Sequence, residues 1–176
     1  PEKQSRWLAP FRILLFVPIA VAYYLISAIG SLAGATVFVA WVSLLSNRRY
    51  PRLIFPWVVW WNRLNTQVGA YLLLVTDEFP FDERDRPLKY DVEYTAPHGR
   101  LGVFFRIILI IPHVIVLLIL FLALLVVTLI ALIAIVITAT YPKGLWEFSV
   151  GVQRWSARVG AYSGLLTDRY PPFSLN

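Results

Sequence analysis

Residues 107–142 read "IILIIPHVIVLLILFLALLVVTLIALIAIVITATYP", 36 residues with no Asp, Glu, Lys or Arg and a single histidine, His113. A second stretch, "ILLFVPIAVAYYLISAIGSLAGATVFVAWVSLLSN" at 13–47, is 35 residues long and equally free of charge. About 20 apolar residues suffice to cross a bilayer, and about 18 uncharged ones already make a candidate. Every charged residue of the chain lies outside these two runs. Over the whole chain 59% of residues are hydrophobic and 15% charged, against about 45–50% and about 25% in soluble domains. The excess points to an integral membrane protein. The first run is too long for a signal peptide, whose apolar core is about 7–15 residues.

As single helices both runs are awkward. At about 1.5 Å per residue, 35 residues measure about 52 Å, and the hydrocarbon layer is about 30 Å thick. Two helices of about 16 residues with a turn between them fit better, so membrane hairpins are expected over 13–47 and 107–140. Charge placement argues the same way. Three Lys/Arg precede the first run (Lys3, Arg6, Arg12), nine lie between the runs and four follow the second. Single crossings would put seven on one side and nine on the other. Hairpins put all 16 on one face, with basic loops and both termini cytoplasmic by the positive-inside rule. Gly30, Ser31 and Gly34 offer a turn in the first run. No such punctuation occurs around Leu124 to Thr128.

The chain repeats itself. "FRILLFVP" (11–18) matches "FRIILIIP" (105–112) at an offset of 94. "YPRLIFPWVVWWNRLNTQVGAYLLLVTDEFP" matches "YPKGLWEFSVGVQRWSARVGAYSGLLTDRYP" at an offset of 91. Shared Arg, Asp and Pro in register mark an internal duplication rather than chance similarity of apolar segments. The units are 1–81 and 101–176, joined by a polar linker at 82–100 in which "KYDVEYT" alternates like a short strand. Each unit ends in a helix with one apolar stripe, expected at 54–76 and 145–167. Trp57, Trp60, Trp61, Leu64, Val68, Tyr71, Leu72 and Val75 recur at steps of three and four. Phe148, Trp155, Val159, Tyr162 and Leu166 repeat the stripe, with Gln153, Arg154, Ser156 and Arg158 opposite. Such helices suit the headgroup level of a membrane; packing against a neighbouring hairpin and a tilted crossing are the alternatives. The expected fold is all-α: two tandem repeats, each an apolar hairpin plus an interfacial amphipathic helix.

The hairpin, the Tyr-Pro turn, "RWSARVGAY" and the ending "LLTDRYPPFSL" resemble the bacterial membrane family catalogued as domain of unknown function 4389. The likeness covers nearly the whole chain as two tandem copies. It implies a multi-pass protein of the bacterial inner (plasma) membrane with no established enzymatic activity and no agreed functional residues. The first copy departs from the pattern, with "FPWVVWWNRLNT" where the second has "WEFSVGVQRWSA".

Signals for chemistry are few. The absence of cysteine removes disulfides, thiolate metal sites and Cys nucleophiles. The absence of methionine, at position 1 included, implies that the numbering omits the native start. No phosphate loop, zinc spacing, serine elbow or dinucleotide fingerprint occurs, and no catalytic residue or metal site is expected. His98 suits a turn beside Pro97 and Gly99. His113 is a weak candidate cofactor ligand, axial to haem or chlorophyll; its plainer role is a neutral ring bonded to a backbone carbonyl freed by Pro112. Asp77 and Asp168 suit helix stops paired with a nearby arginine, more simply than an acid–base pair. Arg63 and Arg154 sit mid-helix at matching places, fit to grip lipid phosphate or a partner carboxylate, or merely to snorkel. With Trp57, Trp60, Trp61, Trp155, Arg48 and Arg49 they form the expected lipid or partner contact set.

The expected role is a non-catalytic accessory, scaffolding or assembly subunit of a larger bacterial membrane complex. The alternatives are a small transporter or channel component, or a lipid-, quinone- or pigment-binding subunit of a membrane enzyme. No cofactor is expected beyond bound phospholipid. Partners would be other membrane subunits, anionic lipid headgroups or further copies of the chain. Nucleic acid is not expected, because the basic residues flank apolar segments.

Overall fold

A computed structural model describes residues 21, 24, 34–77, 92, 94 and 99–175. These are helical, with connecting turns: α1 (Gly34–Asn47), α2 (Phe55–Leu72), α3 (Arg100–Thr138) and α4 (Lys143–Ser163). The strand expected in the linker lies outside the described residues apart from Val92 and Tyr94, which belong to no regular element.

The second apolar run is not a hairpin. It forms the single 39-residue helix α3, which passes through Leu124 and Thr128 without a break. No glycine interrupts it after Gly102. Thr128 Oγ1 donates to the Leu124 carbonyl at 2.7 Å, which bonds the side chain within the helix instead of ending it. Pro112 is accommodated inside the helix at the loss of one backbone hydrogen bond. The chain reverses only at Ala139, whose φ of 58° turns it out of the helix. The hairpin expected over the first run falls mostly outside the described residues; its C-terminal part is α1.

The duplication is visible in the backbone. Non-glycine residues with positive φ are uncommon. Four occur among the described residues, in two pairs 91 apart: Arg48 (56°) with Ala139 (58°), and Leu74 (60°) with Leu165 (61°). Leu74 and Leu165 close α2 and α4 identically. Val75 N–H reaches the Ala70 carbonyl at 2.9 Å and Leu166 N–H the Ala161 carbonyl at 3.0 Å. Leu74 and Leu165 N–H reach the Tyr71 and Tyr162 carbonyls, both at 3.1 Å. This is the Schellman closure with leucine in the position usually held by glycine. Both leucines are buried, which offsets the cost of about 1–2 kcal/mol for a left-handed residue with a side chain.

α4 runs back along α3. Leu145 and Trp146 join Ala131 and Ile135 in one cluster. Trp155 and Val159 pack on Leu117, and Tyr162 reaches Arg106. α2 lies antiparallel on the other side of α4, with Val58 at Gly164, Asn62 at Gly160 and Gln153 at Gly69. At the far end Trp146 Nε1 donates to the Val75 carbonyl at 3.1 Å. The Val-Gly-Ala-Tyr phrase occurs twice because the contact is reciprocal: each copy's glycine receives the other copy's amide side chain. The helices expected at 54–76 and 145–167 therefore pack on one another, and Gln153, assigned to the polar face, is buried. α1 ends beside the start of α3, where Trp41 Nε1 donates to the Val103 carbonyl at 3.2 Å.

Candidate functional site

Two groups of polar side chains are buried between α3, α4 and the C-terminal tail. The first centres on Arg106, only 3% exposed. Its Nη1 donates to the Tyr162 and Thr167 carbonyls, both at 3.0 Å. Nη2 donates to Asp168 Oδ1 at 2.6 Å, and the guanidinium lies 4.3 Å from the Tyr162 ring centroid. Asp168 Oδ2 also accepts from the Gly99 N–H at 2.8 Å, at the start of α3. A carboxylate there opposes the positive end of the helix dipole. Asp168 thus closes the return of α4 onto α3 and pairs with an arginine, as its position after the helix stripe implies. Arg106 was missed as a site residue. Its signal was present in "FR", repeated at Phe11-Arg12 and Phe105-Arg106 in company with the repeated Thr-Asp.

The second group is His113 with Trp155, 0% and 4% exposed. Phe173 stacks on the imidazole at 4.1 Å and 12°. Tyr170 lies 4.9 Å away and Trp155 meets the ring edge-on at 5.8 Å. Neither ring nitrogen of His113, nor Trp155 Nε1, has a hydrogen-bond partner. The expected bond from His113 to a carbonyl freed by Pro112 is therefore not formed. An imidazole flanked by three aromatic side chains and sealed from the surface does not fit an axial ligand to haem or chlorophyll, which needs an open nitrogen. The tail is held over this cage by Arg158, which donates to the Ser174 carbonyl, and by Leu175 against Gly151.

The expected contact set is dispersed. Trp57 and Trp60 stack at 5.0 Å and Trp61 lies 6.3 Å from Trp60, forming a half-exposed ridge on α2. Trp155 is instead a core residue. Arg154 is exposed on α4, whereas its counterpart Arg63 is half-buried on α2. Arg48 and Arg49 are exposed just beyond α1. Asp77 is exposed after α2, and His98 lies outside the described residues. Among the described residues no three His, Cys, Asp or Glu side chains gather as a metal site.

The profile of the family described as "Domain of unknown function (DUF4389)" matches residues 6–82 and 100–174. The chain belongs to this family. It carries two tandem copies of the family's unit, and the second copy opens at the first residue of α3. No curated protein and no solved structure of significant similarity was found.

Proposed function

We propose that the protein is a membrane-embedded, non-catalytic accessory or assembly subunit of a larger bacterial membrane complex. The observation that carries this reading is the outward surface of α3. Its buried residues form one narrow seam: Val103, Arg106, His113, Leu117, Leu124, Ala131 and Ile135. Twenty large apolar side chains from Leu101 to Ile137 are exposed around the rest. Only 17% of the most apolar window is buried, whereas the core helix of a soluble protein is mostly enclosed. Monomeric soluble proteins rarely expose contiguous apolar patches beyond roughly 300–600 Å². Lipid is the medium in which such a helix is stable alone.

The charge-free part of α3, residues 107–138, measures about 48 Å. With a tilt of roughly 25° it spans about 43 Å, the thickness of a bilayer with its headgroup regions. Since α4 returns along α3, Arg100 and Arg169 then emerge on one side and Lys143 on the other. This replaces the arrangement with every basic residue on one face; the Arg100–Arg169 side is cytoplasmic in this reading.

Arg154 favours the subunit role. It precedes Trp155, which packs on Leu117, about 15 Å along that span, so its exposed side chain lies about a third of the way across, inside the hydrocarbon layer. Facing lipid would cost an arginine about 2.5–3.5 kcal/mol at the bilayer centre and less at this depth. A carboxylate from a neighbouring subunit removes that cost, as does a water-filled path, which is the transporter reading. Affinity purification from native membranes separates them. The subunit reading expects stoichiometric partners that Arg154→Glu releases. A solitary chain whose liposomes pass solute above an empty-vesicle background supports the transporter instead.

A further inference from the structure

We propose that arginines from both copies, gathered at the junction of α1 and α3, form a binding surface for the phosphodiester headgroup of an anionic phospholipid. The inference rests on the membrane reading above. Arg48, Arg49 and Arg52 follow α1 and are exposed. Arg100, at the start of α3, is exposed and donates through Nη2 to the Ser46 carbonyl at 2.9 Å, which ties the two helix ends together. The Gly99–Asp168 bond brings exposed Arg169 to the same corner. Tyr50 Oη, between these arginines in sequence, donates to the Gly164 carbonyl at 3.1 Å, fixing the first copy's turn to the end of α4.

None of the five arginines has an ion-pair partner among the described residues. Among the described acids, the one at this corner, Asp168, is already held by Arg106 and Gly99. The other described acids, Asp77 and Glu147, lie at the opposite end, after α2 and in the first turns of α4. Guanidinium forks match phosphate oxygens. Beside them α3 exposes Leu101 (76%), Phe104 (57%) and Phe105 (46%). Charge adjoining apolar surface selects a lipid, whose phosphate and acyl chains are covalently joined, over a free anion. In sequence the five arginines belong to two copies; only the fold unites them.

The test uses the full chain reconstituted in phosphatidylcholine vesicles, with spin-labelled phosphatidylglycerol or spin-labelled phosphatidylcholine as probe. Preference for the glycerol lipid is expected, weakening as salt rises. R48Q/R49Q/R52Q should lower it by about two orders of magnitude, at about fivefold per arginine. R48K/R49K/R52K, which keeps the charge but not the fork, should lose less than the Gln variant and keep its salt dependence, and circular dichroism should be unchanged in both. Equal association of the two lipids overturns the proposal, as does an equal loss in Arg154→Gln. Displacement of the probe by inorganic phosphate identifies a free-anion site and also overturns it. A chain that fails to enter phosphatidylcholine vesicles sinks the membrane reading itself, a result distinct from insertion without lipid preference.

Discussion

His113 shows at the scale of one residue how far a sequence signal reaches. A histidine inside a charge-free run marks a candidate functional group, and that much was legible. What the sequence hid is that the tail, some 60 residues later, places Phe173 and Tyr170 on its ring. Three polar atoms of His113 and Trp155 lie buried without partners, each at a cost of about 1–3 kcal/mol. A purely structural His113 therefore predicts that His113→Phe is neutral or stabilising by about 1–2 kcal/mol in detergent unfolding. Collapse of the fold or loss of a co-purifying molecule would show that the ring nitrogens serve a ligand. The paired glycines give a second prediction. A Cβ on Gly160 would sit 2.6 Å from Asn62 Oδ1, whose amide is held by the Val58 carbonyl at 2.9 Å. A Cβ on Gly69 meets the longer, freer Gln153 at 2.8 Å. Alanine gains about 1 kcal/mol in helix propensity. Gly160→Ala should thus be the more costly, at about 1–2 kcal/mol net, and Asn62→Ala should rescue it in a double-mutant cycle.

The helices divide into those that were legible and one that was not. α2 and α4 were readable because a stripe at three- and four-residue steps coincides with Arg, Asp and Pro in register. α3 was misread because periodicity is silent in a segment that is apolar on every face. Bilayer thickness then argued for a turn that local chemistry did not supply; the missing glycine near Leu124 was the better guide. Spin labels at Leu109→Cys and Ile133→Cys decide this, since both sites are exposed and the chain has no native cysteine. A continuous helix predicts a separation of about 36 Å; a hairpin brings the labels to roughly 10–15 Å, near the spacing of packed helices. The turn tyrosines add a pH dependence. Burial pushes the Tyr50 hydroxyl, which fastens the α1–α2 turn to the end of α4, well above its ordinary value. Its folded pKa exceeds its unfolded value of about 10, so its contribution is complete below pH ~10 and is lost as pH rises beyond. Melting curves should fall above pH ~10, and Tyr50→Phe should blunt that fall.

Across the whole molecule, surface chemistry is partitioned along the fold. Five exposed arginines share one corner, Lys143 and Glu147 mark the opposite end of α4, and between them α3 turns an uncharged flank outward. Composition alone announced the apolar excess, but not which face it would occupy. That depended on α4 covering only a narrow seam of α3, a consequence of the second copy folding back at Ala139. The most direct test labels Leu118→Cys, Leu125→Cys and Ile133→Cys singly in native membranes, with Arg49→Cys as the aqueous reference. Collision rates with oxygen and with a polar nickel chelate are then compared. High oxygen and low chelate access at all three α3 positions is the predicted result; chelate access equal to that at Arg49→Cys would contradict it.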